Sequence, residues 1–330
     1  AFLVSRVSKL QRIEPLYGIS LGNQIDLRIS DYLRYLEGVP EVKVFAVYIE
    51  GFKPGDGFLT AEAAARILRN PSRHVIVYKS GRTPEGRQAT SGHTASVAGD
   101  YAVSRSILEA AGCIVADSIA DFDNLILSSA GLAAKPVRGS RVGLLSNAGF
   151  ESVVMADSLR NGDSLVLAPF AEATRAALSA ALAPLGIDKL QDIKNPLDIT
   201  PVADDAAFAA CAAAILADPG VDCAVISPVP MTPALKSLPP GPGYAESIHD
   251  PASLSSRLAE IFRTSTKPFV VNIDAGGLYD PMAGHLEAGG VPVFRRVDEA
   301  VKFLRMFVAA SLRRAALSRR GSLARTARRI

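Results

Sequence analysis

No apolar run in this chain is long enough to cross a bilayer. The longest are broken by a charge or a proline within about ten residues, against the ~20 a spanning helix needs. A membrane-spanning role is not expected. There is no basic-then-apolar leader either. The chain opens without Met on "AFLVS", which reads as a strand and as the start of a fragment or a processed form. Cysteine is scarce: Cys113, Cys211 and Cys223 form an odd set with no CxxC spacing. That argues against a disulfide framework and a cysteine zinc site, and fits buried thiols in a reducing, cytoplasmic setting. Acid is missing from residues 313–330, which hold seven arginines, so the rest of the chain is mildly acidic although the net charge is +3. The tail also lacks aromatic residues to stack on bases, so nucleic acid is not the expected partner. It reads as a basic, frayed or linker-like end.

What is present suits a globular protein of about two domains: 330 residues, 48% hydrophobic and 21% charged. Short β-branched runs alternate with longer helical ones, which predicts parallel strands joined by crossover helices. In the first half the strands fall at 42–49, 74–79 and 113–116, and the helices near 28–37, 59–69, 98–111 and 119–133. The small-residue stretch 128–140, with Pro136 and Gly139, resets the pattern. The second half repeats it, with strands at 141–146, 164–168, 222–227, 268–273 and 291–294. Its helices fall at 150–160, 170–184, 204–217, 252–264 and 297–312. The expected organisation is two doubly wound α/β domains in tandem, at 1–135 and 139–312, followed by the basic tail 313–330.

Open parallel sheets bind ligands beyond the carboxyl ends of their strands. After "HVIVYK" comes a Gly/Ser/Thr-rich loop holding His93 in "SGHTAS", between Gly92 and Thr94. A histidine there suits a nucleophile, a base or a ligand, and equally a solvent-facing residue with no role. With no second His, Cys or carboxylate cluster nearby, no metal site is expected. Glu50 ends the strand "VKVFAVYI" on what would be the same rim, placed to orient an imidazole or simply to face solvent. In "SNAGFES", Asn147, Ala148 and Gly149 stand where a strand turns into a helix N-terminus, which favours an anion. A plain N-cap by Asn147 or Ser152 explains the same letters. "NPLDIT", with Asp198, reads as a polar turn that orients a loop or caps the helix near 204. "NIDAGG" reads as an anion-friendly or merely tight turn.

Together "GISLGNQIDL", "VYIEGF", "YKSGRTPEGRQATSGHTASVAGD", "LSNAGF" and "NPLDIT" occur in an order that resembles the NDP-forming acyl-CoA synthetases, relatives of succinyl-CoA synthetase. The likeness runs from about Gly18 to about Phe307 and is most specific around His93. It implies two flavodoxin-like domains and a soluble acid–CoA ligase running acid + CoA + ATP ⇌ acyl-CoA + ADP + phosphate. By motif position, His93 would carry the phosphoryl group and Glu50 would bond its other nitrogen. Gly92, Thr94, Asn147, Ala148 and Gly149 would hold the phosphate. The resemblance further implies CoA and ATP/ADP with Mg²⁺, bound largely by an ATP-grasp subunit or domain and a CoA-binding Rossmann domain. It also implies a small carboxylic acid or acyl-CoA substrate and an oligomer. Two departures stand out. Ala95 replaces a glycine usual in the family, and "VSRVSKLQRIEPLYG" is short and lacks a "SQSG"-type turn. They point to the alternative, a non-catalytic scaffold or regulatory relative. No G-x-G-x-x-G opens the chain, so the full reaction is not expected from this chain alone.

Overall fold

The computed structural model describes residues 2–10, 13–93, 100–159, 164–189, 192–243 and 246–327, with the side chains of 90–93 and 320–327 left undescribed. Two compact units emerge, 1–134 with 310–330, and 135–309.

The first unit holds α1 (Phe2–Lys9), α2 (Ile29–Glu37), β1 (Val44–Ile49), α3 (Asp56–Ile67), β2 (His74–Lys79), α4 (Pro84–His93), α5 (Tyr101–Ala110), β3 (Ile114–Val115) and α6 (Ile119–Leu132). Its sheet is parallel, in the order β1-β2-β3. The central β2 is buried at all but one position, as a strand covered on both faces must be. Leu33, Phe45, Ile49, Ile67, Val77 and Leu108 build the core on one face.

Two expectations fail here. Residues 2–5 are not a strand but the start of α1: Phe2 stacks on Tyr48 at 4.1 Å, and Arg6, one turn on, pairs with Asp123 at 2.6 Å. Four consecutive apolar residues cannot by themselves separate a strand from a helix face. The stretch after β2 is not all loop either, because residues 84–93 form α4. "TPE" supplies the start: Thr83 Oγ1 accepts from Gly86 N at 3.1 Å, Pro84 takes the first position and Glu85 follows in the first turn.

His74 is 3% exposed, and burial together with nearby Arg314 pushes its pKa down to about 3. The unfolded chain therefore binds a proton below the ordinary histidine range that the folded unit refuses. Stability should fall by roughly 1.4 kcal/mol per pH unit between about pH 6.5 and pH 3. Urea titrations at stepped pH should show this acid limb, flattened in His74→Phe.

The second unit holds β4 (Arg141–Ser146), α7 (Gly149–Asp157), β5 (Val166–Leu167), α8 (Glu172–Leu182), β6 (Leu197–Asp198), α9 (Asp205–Ala217), β7 (Cys223–Ser227), α10 (Leu254–Thr264), β8 (Phe269–Asn272), α11 (Asp280–Ala288), β9 (Val293–Phe294) and the start of α12 (Val297–Ala327). The sheet is again parallel, β5-β4-β7-β8-β9, with β6 also on β4. Leu144, Val225, Phe208, Val270 and Leu258 are fully buried around it.

"NPLDIT" is thus a short strand and not only a turn. β5 pairs with β4 at Arg141 and Val142, β6 at Leu145 and Ser146. Between them the Asn195 side chain completes the ladder. Its Nδ2 donates to Val142 O at 2.7 Å and Ala168 O at 2.8 Å, and its Oδ1 accepts from Leu144 N at 3.0 Å. Sequence reading also missed α11, where Pro281 begins the helix rather than breaking it. The described part of the segment expected to fray is helical, since α12 continues to Ala327. No described helix is long and apolar enough to cross a membrane.

Candidate functional site

In the first unit the rim is formed where β1 and β2 end side by side, Ile49 opposite Lys79. Glu50 follows directly, half-buried, and its Oε1 accepts from Tyr48 Oη at 3.2 Å. Lys79, only 2% exposed, donates to the backbone carbonyls of Glu50 and Ser80, each at 2.7 Å. Burial lowers the Lys79 pKa, and the Glu50 charge partly offsets that. Burial also raises the Tyr48 phenol, with the Glu50 carboxylate adding to the effect. Nothing in the residue pattern marked this lysine, because a charged strand end ordinarily faces water. A cavity of about 860 Å³ opens beside β1, with Phe2, Leu33, Tyr48, Glu50 and Phe122 among its walls.

His93 is the last residue of α4, and Gly92 precedes it within the same helix. The side chain of His93, together with Thr94 and Ala95, lies outside the described residues.

In the second unit three buried strands end in polar residues: β4 in Ser146, β7 in Ser227 and β8 in Asn272. All three are fully buried. Ser146 lies opposite Ser227, donating to its carbonyl at 2.7 Å and accepting from Ala148 N at 3.1 Å. That fixes the turn into α7. The N-cap is Ala148, with no side-chain cap, so neither Asn147 nor Ser152 fills that role. Asn147 is committed elsewhere. Its Nδ2 donates to Val229 O at 3.1 Å and its Oδ1 accepts from Val229 N at 2.7 Å. Any anion contact at this turn would come from its backbone N–H groups. At Gly149 a Cβ would stand 3.3 Å from Asp198 Oδ2, so a larger residue would press on β6. Asp198 Oδ1 accepts from Thr200 N at 2.9 Å, while the helix near 204 is capped by Asp204.

Sequence reasoning missed Glu151. It sits in the first turn of α7, fully buried, and bonds to Ser227 and Asn272. Three strands each ending in a polar residue were the available signal. Among the described residues, no group of three or more His, Cys, Asp or Glu could hold a metal.

Residues 1–127 match the family model of the succinyl-CoA ligase-like flavodoxin domain. The α subunit of ADP-forming acetate–CoA ligase II from Pyrococcus furiosus is 29% identical over 85% of this chain and 56% of its own length. The ADP-forming acetate–CoA ligase of Methanocaldococcus jannaschii is 30% identical over 55% of this chain and 24% of its own. Acetyl-coenzyme A synthetase 1 of Ca. Korarchaeum cryptofilum, solved with phosphate and ADP, has the same fold. Its TM-score is 0.74 at 24% identity, over 92% of this chain and 60% of that one. The chain is thus similar, over most of its length, to ADP-forming acyl-CoA synthetases. It spans little more than half the length of the α subunit it matches.

Proposed function

We propose that this chain is the phosphohistidine-bearing part of an ADP-forming acid–CoA ligase. Inorganic phosphate displaces CoA from an acyl-CoA, and the resulting acyl phosphate gives its phosphoryl group to a ring nitrogen of His93, releasing the carboxylic acid. The phosphohistidine then passes that group to ADP, restoring the imidazole; the ligase direction is the reverse. Glu50 would bond the other ring nitrogen and offset the charge that builds on the ring. With the Ala148 N–H held by Ser146, the backbone N–H of Gly149 and of the first turn of α7 would receive the phosphoryl group, stabilising its charge without protonating it. An ATP-grasp partner would bring the nucleotide with its Mg²⁺, and a Rossmann domain would bring CoA. The observation that carries this reading is the kinship with ADP-forming acetate–CoA ligases, one of whose α subunits aligns over 85% of the chain. Glu50 at the β1 rim and an N-cap without a side-chain cap at the β4 rim are consistent with it.

The test is intact mass after adding ATP, Mg²⁺ and the cognate ATP-grasp partner, worked up in alkali. An acid-labile gain of one phosphoryl group, absent in His93→Ala, is expected. No gain with a partner active on another subunit would favour the non-catalytic scaffold. Ala95, where the family usually has glycine, supports that second reading.

A further inference from the structure

Glu151 is a buried carboxyl that the relay leaves without a task. A glutamate in a helix's first turn normally reaches back to the cap, or faces water as an anion favoured by the dipole. Glu151 instead turns inward and is 0% exposed. Its Oε2 accepts from Ser227 Oγ at 2.8 Å and Asn272 Nδ2 at 3.4 Å, while Asn272 Nδ2 also donates to Ser227 Oγ at 2.9 Å. Its other oxygen, Oε1, is buried without a hydrogen-bond partner, and so is Asn272 Oδ1. The charges nearby are acidic. Asp274, just past β8, acts on Glu151, and Asp198 of β6 stands at Gly149. β4 and β7 contribute only the uncharged Ser146 and Ser227.

Among the described residues, an ionised carboxylate here would be a buried anion with no cation opposite it, beside two unsatisfied acceptors. A single proton removes both faults. A carboxylic acid and a primary amide close a two-point ring in which the amide N–H donates to one carboxyl oxygen and the acid O–H donates to the amide oxygen. Half of that ring, Nδ2 to Oε2, is already formed, and the two unpartnered atoms are those the other half requires.

We propose that Glu151 is a positioning residue held as the neutral acid, its Oε1–H donating to Asn272 Oδ1, so that the first turn of α7 can accept a phosphoryl dianion. This rests on reading the "SNAG" turn as the phosphoryl cradle. Burial raises the Glu151 pKa, and Asp274 raises it further, while the Ser227 bond opposes them. Below that raised value the turn is free of the competing charge. Above it, a carboxylate in the first turn repels the incoming anion. By linkage the anion takes up a proton as it binds.

The test uses the full chain with ¹³C-carboxyl-labelled glutamate, with Glu151→Gln assigning the resonance. That variant keeps shape and can form the amide–amide ring, and a melting curve checks that it folds. The Glu151 signal should titrate above the other glutamates, and Asn272→Ala should bring it down. Sulfate, whose charge does not change near neutrality, then serves as the phosphoryl probe. Its affinity should fall about tenfold across the Glu151 titration, as expected for a new like charge close by, and stay flat in Glu151→Gln. A Glu151 signal at the ordinary glutamate value overturns the neutral acid. A high value with unchanged sulfate affinity overturns its effect on the turn. If sulfate shifts no α7 amide at any pH, the cradle reading fails and the coupling fails with it; the carboxyl titration still decides the acid–amide ring separately.

Discussion

His93→Ala should abolish phosphoryl uptake and cut acyl-CoA turnover by about four orders of magnitude or more. Losses of that size follow when the nucleophile of a covalent relay is removed. The variant changes the last residue of α4, where one extra alanine costs the helix nothing, so folding should be unaffected. Glu50→Gln makes the sharper comparison. It keeps an acceptor for Tyr48 Oη but removes the charge that would offset the developing imidazolium. Phosphorylation should still reach one group per chain, about a hundredfold or more slowly, the kind of loss seen when a carboxylate that orients a catalytic histidine becomes an amide. Quenched-flow mass measurement separates the two variants: no end point in one, a delayed end point in the other. If His93→Ala is phosphorylated as fast as the wild type, the relay is elsewhere.

Asn195→Ala should destabilise the second unit by about 3 kcal/mol. It deletes two bonds to carbonyls, at Val142 and Ala168, and leaves the Leu144 N–H without its acceptor. For a unit of this size that corresponds to a fall of about 10 °C in melting temperature, readable by calorimetry. Asn195→Asp should do no better, because it trades two donors for an oxygen facing two carbonyl oxygens. The consequence reaches the site. The run Leu144–Ser146 carries the hydroxyl that takes Ala148 N–H, so a looser β4 loosens the turn into α7. A melting point within a degree or two of wild type would show that the β4 ladder closes without this side chain.

The alternation of β-branched and helical runs was enough to read the parallel sheets, because strands such as His74–Lys79 and Arg141–Ser146 are buried on both faces and write unbroken apolar runs. The two-residue strands β3, β5 and β9 also fall inside predicted runs, but β6 does not. Leu197–Asp198 exists only because β4 presents an open edge after β5 leaves it. α4 was obscured by serine, threonine and glycine, although its cap and proline were in plain view. At the site, Glu50 and the "SNAG" turn were legible because each follows its own strand directly. Glu151, Ser227 and Asn272 were not. They are 76 and 45 residues apart along the chain, and only crossover connections bring them together. Lys79 was hidden for a related reason: its partners are backbone carbonyls, which carry no side-chain signature.

The long α12 has a consequence for how the molecule is made. The second unit has all its residues by position 309, whereas the first still awaits 310 onward, including Arg314, which donates to Arg73 O at 2.7 Å and Pro71 O at 3.3 Å. On a ribosome, where domains tend to fold as they emerge, the half translated first is the half completed last. Its early strands must wait, partly clothed, until the far end of the chain arrives. A gene cut after codon 134 would release it without that closing piece.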